Sequence, residues 1–326
     1  MRAARSKPDD GTPDPGSWSA LSSGAITVVL PQVGALRVSG PDGAAFLNGQ
    51  LANDVAHLES GGSLRSAYLN VRGHALAEMR VQRRESDLHL AVEDGGAHEV
   101  AKRLLAHKVF DQVELTDLSG TLSTLTVQGP RATEVVESAL GIEPLHDGHF
   151  ATVPFGEAEV LALRNRRSVA GGVDVHLLSR QLAELIGALH AAGAVEGDEE
   201  SIEASRIEAG LPRAALDAGP GVLPQEAGLT AAISTRKGCY LGQEVMARIE
   251  ARAQLRRSLK RLRLDRTPPD LMPGQAVMHG DKAVGRLGSV ALHPELGTLA
   301  LAVLRNDVSD GAILRVGPVA AAILAS

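Results

Sequence analysis

From Leu259 to its C-terminal end the chain is written in short runs of alternating side chains, LKRLRL, QAVMHG, KAVGRLG, LGTLALAVL and AILRVG, set apart by Gly, Pro and Asp. A period of two gives each run one apolar and one polar face. Strands this short, joined by turn residues, bury their apolar faces by curling into a small all-β barrel. Before residue 256 the texture differs, and short β-branched or leucine runs alternate with helical patterns. Ile26–Leu30 and Ala35–Val38 read as strands, and Pro41–Leu47 as a helix that opens after Gly40. Its Pro stands at a first-turn position, where a missing N–H costs nothing. A similar unit returns 89 residues later, with strand Leu122–Val127, a Gly129-Pro130 turn and helix Arg131–Leu140 closed by Gly141. The two units suggest an internal duplication, although Gly-Pro is a common turn. Further helices are predicted at His98–His107, Arg180–Ala192 and Glu199–Ala209, the last capped by Asp198 and ended by Gly210. Residues 1–23 are rich in Pro, Gly, Ser and Asp without periodicity and read as a flexible tail. The predicted organisation is therefore a tail at 1–23, an α+β body at 24–250 and a β-barrel at 256–326.

Only 7 of the 326 residues are aromatic although 44% are hydrophobic, so the core must be aliphatic. With 33 basic and 39 acidic residues the net charge is −6, which argues against a bulk coat for polyanions. A single cysteine excludes an internal disulfide and a CxxC zinc site. No apolar segment precedes Pro8, and no stretch approaches the roughly 18 apolar residues a membrane helix requires. The expectation is a soluble, cytoplasmic protein without a signal peptide or a membrane partner.

The densest segment is Ser234–Arg248, STRKGCYLGQEVMAR, which holds Cys239 and Tyr240. Arg236 and Lys237 just before the thiol would favour its thiolate and make Cys239 reactive. The alternative is a small buried hydrophobe. In Ile202–Gly228, Glu208 ends a helix and Glu226 follows Pro224 in a loop. A carboxylate so placed can accept two N–H donors from a guanidine-like edge, or can simply be solvated. Between Arg248 and Arg266 eight basic residues face two acidic ones, and Arg248, Arg252 and Arg256 are spaced to share one helical face. That face suits phosphate or RNA, or is a solvated surface; without aromatics it does not encode base stacking. The carboxylates Glu196, Asp198, Glu199, Glu200 and Glu203 have no histidine nearby and fit the first turn of a helix better than a metal. GxGxxG, GxxxxGK[ST] and GxSxG are all missing, so dinucleotide binding, P-loop phosphoryl transfer and nucleophile-elbow hydrolysis lose their usual signatures.

The octamer KGCYLGQE at Lys237–Glu244 resembles the signature of the YgfZ-type folate-binding proteins, relatives of the glycine-cleavage T-protein (aminomethyltransferase). RVSGPDGAAFLNGQLANDV, LNVRGHALAEMRV, LTVQGP, RIEAGLPR, LPQEAGL and GDKAVGRLGSVALHPELGTLALAVL are similar to further family segments and stand in family order. The resemblance implies an α+β body of mixed sheets and helices around a central channel for tetrahydrofolate or a derivative, with a C-terminal small β-barrel. It implies that Glu226 and Glu208 hold the pterin. Tyr68, Asn70, Arg236, Tyr240, Gln243 and Arg248 would line or approach the folate, with Cys239 and Lys237 as the chemically active pair. The folate's glutamate tail would be a further candidate for the basic run. The function implied is a folate-binding accessory protein for iron–sulfur cluster assembly or repair, and indirectly for tRNA thiolation. Its partners would be iron–sulfur enzymes or cluster carriers. One alternative is a folate-dependent aminomethyl transferase or demethylase, and another is direct tRNA binding. The chain departs from the transferase where paired aspartates are expected, because Ala77 and Glu78 stand there. An alanine can neither orient a folate nitrogen nor move a proton.

Overall fold

The structure, a computed structural model, describes residues 11–244, 246, 255–267 and 271–325. One sheet has the order β3 (Ser63–Leu69), β4 (Ala75–Arg83), β5 (Asp87–Val92), β2 (Gly34–Ser39), β6 (Glu114–Asp117). The other runs β11 (Val195–Glu196), β1 (Ile26–Val29), β7 (Leu122–Gln128), β10 (Gly172–Leu178), β9 (Ala158–Arg164), β8 (Phe150–Phe155). Strands β12 (Arg257–Leu264), β13 (Ala276–His279), β14 (Lys282–His293), β15 (Gly297–Arg305), β16 (Leu314–Val316) and β17 (Val319–Ile323) close into a barrel. The class is α+β with a C-terminal barrel, as the change of texture near residue 256 predicts.

Strand alternation explains the layering. On β4, Ala77, Met79 and Val81 pack outward under helices α2 (Gly43–Gln50) and α3 (Ala97–Ala106), with Phe46, Leu47, Val100 and Leu104. Each fully buried Val or Leu there contributes about 1.5–3 kcal/mol. Helices α4 (Ala132–Leu140) and α5 (Leu182–Ala191) cover the second sheet through Val135, Val136, Leu185 and Leu189. The remaining faces of the two sheets turn toward each other. Part of that seam is polar, and the rings of His89 on β5 and His176 on β10 lie 5.1 Å apart across it. Helix α6 (Glu199–Glu208) and the short α7 (Ala214–Asp217) then lead the chain to the barrel. Ile207 on α6 packs with Leu299 and Leu301 of β15. Asp198 caps α6 by accepting from the Ser201 N–H at 2.6 Å, and Gly210 follows the helix at φ +67. Both features agree with the sequence reading.

One expectation needs correction. The tail assigned to residues 1–23 contains helix α1 (Pro15–Ser23). Asp14 caps it, accepting from the N–H groups of Gly16 at 2.8 Å and Ser17 at 3.0 Å, with Pro at the helix start. Asp-Pro is a helix-start signal, and composition alone hid it. Trp18 meets His293 of the barrel edge-on at 4.6 Å, and the Asp14 N–H donates to Asp198 at 2.8 Å. Residues 1–10 of that tail lie outside the described residues.

Candidate functional site

A cavity of about 300 Å³ opens where the inner sheet faces, the β9–β10 connection and α6 converge. Its wall is built by the same alternation that builds the core. On β4, Glu78 and Arg80 point opposite to Ala77 and Met79, and on β3 Arg65 stands across from Arg80 in register. The buried Glu78 accepts at Oε1 from Arg65 Nε at 2.8 Å and also from Arg65 Nη2. Burial holds the Glu78 carboxyl above its ordinary pKa, although Arg65 pulls the other way. Burying a carboxylate is tolerated only with such a partner.

The opposite wall comes from sequence-distant segments. Arg167 grips Glu93 at 2.6 Å and 3.1 Å and Asp174 at 2.8 Å. Burial would raise the Asp174 pKa, but the Arg167 charge and hydrogen bonds overcome it and the net shift is downward. On α6, Arg206 donates to both oxygens of Glu203, and its Nη1 approaches the buried Asp217 at 3.4 Å. Arg213 donates to Asp94 and reaches Glu203 at 3.6 Å. The result is an internal compartment lined by alternating cations and anions. It suits a polar ligand with several hydrogen-bonding edges.

Of the residues singled out from the sequence, Glu78, Glu199, Glu200 and Glu203 line this cavity, and those expected at the folate lie elsewhere. Tyr68 is in the core of the first sheet at 1% exposure. Asn70 shapes a turn, its Oδ1 accepting from the N–H groups of Arg72 at 2.9 Å and His74 at 3.1 Å. Glu226 is buried and accepts from Arg257 of β12 at 2.7 Å and 3.1 Å, so it faces the barrel. Glu208 also faces the barrel, with its Oε2 3.3 Å from His293 Nε2. Neither carboxylate lines the cavity. Arg248 and Arg252 lie outside the described residues. Of the basic run, Arg257 is held by Glu226, and Arg261 donates to the Glu208 carbonyl at 2.7 Å. Among the described residues no group of three or more His, Cys, Asp or Glu side chains is arranged to hold a metal. No helix among them is long and apolar enough to cross a membrane.

The KGCYLGQE segment forms a second feature, docked against the end of α2. Lys237 turns inward, and its Nζ donates to the carbonyl oxygens of Asn48 at 2.5 Å, Leu51 at 2.7 Å and Asn53 at 2.9 Å. Burial lowers its pKa to about 8 against the pull of Asp54. The same ammonium sits 5.0 Å from the centre of the Tyr240 ring, which packs with Leu69 and Met246. Gly242 has φ +85, and a Cβ there would lie 2.6 Å from the Asn70 carbonyl oxygen, so this contact requires glycine. Gln243 continues the turn, its N–H donating to the Tyr240 carbonyl at 3.2 Å. Cys239 and Arg236 are exposed on the outside of the loop. The loop thus presents a thiol on a rigidly anchored base, with the Lys237 charge spent on the backbone.

What the sequence reading missed is Arg65, Arg80, Glu93, Asn165 and Arg167 of the cavity; it assigns Glu203 to a helix's first turn, and Arg206 and Arg213 stand in the RIEAGLPR segment. A signal existed for three wall residues. In SLRSAYL and ALAEMRVQR charged residues occupy alternate positions of otherwise apolar strands, which marks a charged inner face.

Fold and site together define a class: two helix-covered sheets and a barrel arranged round a charged internal compartment. The pattern of the GCVT N-terminal domain family matches residues 20–237, and the chain belongs to that family. It is 28% identical over 300 residues to an aminomethyltransferase of Shouchella clausii, covering 89% of this chain and 81% of that one. It is 27% identical over 307 residues to the tRNA-modifying protein YgfZ of Hamiltonella defensa, covering 89% and 86%. The fold matches the glycine cleavage system aminomethyltransferase T from Bartonella henselae with a TM-score of 0.80 at 21% identity, over 95% of this chain and 88% of that one.

Proposed function

We propose that the cavity binds a reduced folate and that the protein serves iron–sulfur cluster assembly or repair, and through it tRNA modification. The observation that carries the folate reading is Glu78, a buried carboxylate on the cavity wall of a chain in this family. Strand alternation sends Ala77 into the core under α2 and α3, so a side chain at that position does not reach the cavity. Glu78 alone of the pair stands where a folate nitrogen would be met. A carboxylate there accepts N–H donors of the pterin, and the nearby cations donate to its carbonyl. Glu78 is already clamped by Arg65, an arrangement better suited to holding a ring than to shuttling a proton through each turnover.

The accessory role is supported by the second feature. Cys239 is exposed on a loop whose foundation is fixed by Lys237 and Gly242, outside the cavity. The likeness to a tRNA-modifying protein is as extensive as that to the aminomethyltransferases. A thiol so displayed meets a protein partner or its cluster without entering the folate compartment.

The test is calorimetric titration of tetrahydrofolate, anaerobic and reducing, into wild type and Glu78→Gln. Saturable binding to wild type is expected, weakened about 10–100-fold in the variant, as for loss of a hydrogen bond to a charged group. Absence of binding to wild type removes the folate reading. For the accessory role, Cys239→Ala is expected to fail to restore cluster-enzyme activity in a deletion strain. Full restoration removes it.

A further inference from the structure

Among the described residues six arginines line the cavity: Arg65, Arg80, Arg166, Arg167, Arg206 and Arg213. Four of them hold carboxylates, namely Glu78, Glu93 with Asp174, Glu203 with Asp217, and Asp94 with Glu203. Arg166 is exposed and donates to the Ser168 and Val169 carbonyls. Arg80 is the exception. Its bond among the described residues is from Nη2 to the Asn165 Oδ1 at 2.8 Å, and no carboxylate of those residues pairs with it. A guanidinium carries five N–H donors, so most of its capacity is left for something that enters the cavity.

The position is an unfavourable one for a cation that no carboxylate contacts directly. Arg80 stands directly opposite Arg65 across the strand pair, and like charges so placed repel. Burial lowers its pKa to about 10, with Arg65 and Arg167 adding to the shift and the more distant Asp174 and Glu93 opposing it, so the group keeps its charge at neutral pH. Asn165 is itself oriented, since its Nδ2 donates to Asp174 at 2.7 Å and leaves the amide oxygen for Arg80. Asp174 in turn is fixed by Arg167. The chain from Arg167 through Asp174 and Asn165 therefore aims the Arg80 fork without placing a carboxylate on it.

We propose that Arg80, positioned by Asn165, is a carboxylate-binding subsite of the cavity. This rests on the cavity being the ligand site named above. The planar guanidinium matches a carboxylate with two parallel N–H bonds, which a compact ammonium cannot reproduce. The carboxylate has two possible sources: the glutamate of the folate itself, or a separate small carboxylic acid that binds beside the pterin.

The experiment titrates three probes into the full chain, wild type and Arg80→Gln: tetrahydrofolate; tetrahydrobiopterin, a reduced pterin without a carboxylate; and acetate. If the glutamate seats on Arg80, the variant loses about 10–100-fold in affinity for tetrahydrofolate and none for tetrahydrobiopterin. If a separate acid seats there, both pterins bind the variant as they bind wild type, and only acetate binding is lost. Equal weakening of both pterins overturns the proposal, because Arg80 then contacts the ring. Unchanged binding of all three probes overturns it as well, and so does wild type that binds neither tetrahydrofolate nor acetate. Wild type that binds acetate through Arg80 and no pterin keeps the subsite while the folate reading falls. Should Arg80→Gln fail to fold, Arg80→Lys keeps the charge without the fork and gives the same comparison with a smaller loss.

Discussion

Lys237 shows how a single side chain can hold a loop by being buried. Three carbonyl oxygens accept from its ammonium, and they belong to the last turn of α2 and the segment that leaves it. Lys237→Met leaves those acceptors without their donor and is expected to lower stability by about 1–3 kcal/mol in urea melts. The pH dependence has a definite sign. With its folded pKa at about 8 against 10.5, the unfolded chain holds this proton more tightly across that window. The contribution of Lys237 to stability therefore rises between pH 8 and 10.5. The gap between wild type and Lys237→Met should widen from pH 7.5 to 9.5, and a constant gap would contradict the assignment. From sequence, Lys237 read as an activator of the neighbouring thiol, because nearness in the chain was the only guide to its direction. Ala77 and Glu78 show the same limit. Which of the two faces the cavity depends on strand parity, and the parity is set by Met79 and Val81 facing the helices.

At the scale of elements, the seam between the sheets is a directed chain of hydrogen bonds. His89 Nδ1 donates to Gln82 Oε1 at 2.9 Å, and Gln82 Nε2 donates to His176 Nε2 at 3.3 Å. His176 Nδ1 then donates to Thr124 Oγ1 at 2.9 Å. This pattern requires the His176 imidazole to be neutral, because its Nε2 accepts. Burial lowers His176 to about 4 and His89 well below its ordinary value. As pH falls from about 6.5 toward 4 the unfolded chain takes up protons that the folded chain refuses, so stability is lost over that window. A displacement of this size corresponds to about 3 kcal/mol for His176. His176→Gln should flatten the decline of melting temperature between pH 6.5 and 4.5, while an unchanged slope would place the acid-sensitive group elsewhere. The elements themselves were largely legible. The 3.6 period of α3, α4 and α5, the Asp198 cap and the barrel strands are written in local pattern. The pairing of β4 with α6 and the β9–β10 connection around one cavity is not, because ion pairs such as Arg213 with Asp94 join residues 119 positions apart.

For the molecule as a whole, Asp217 ties the barrel to the body. It is buried, and its oxygens accept from the Arg213 N–H at 2.8 Å, the Ser289 N–H at 2.7 Å and the Ser289 hydroxyl at 3.0 Å, besides facing Arg206. The approach is close enough that a Cβ on Gly288 would lie 2.1 Å from Asp217 Oδ1. Asp217→Ala leaves the Arg213 N–H and both Ser289 donors without their shared acceptor, while Arg206 keeps Glu203, a loss of about 1–3 kcal/mol for each buried donor left unmet. Proteolysis within residues 211–222 should accelerate in that variant before the sheets themselves are cut. Cutting rates equal to wild type would mean that the apolar contacts of Ile207 with β15 hold the barrel unaided.

The contact of Trp18 with His293 gives this molecule a property its composition alone would not suggest. Trp18 is the single tryptophan in 326 residues, so all indole emission comes from one place, the seam between α1 and the barrel. The chain carries its own optical reporter for that junction, with no label and no competing signal. A shift in emission during slow denaturation records the parting of helix and barrel, and circular dichroism recorded alongside reports the sheets. Whether the two traces coincide tells an experimenter directly whether body and barrel melt as one unit or in sequence.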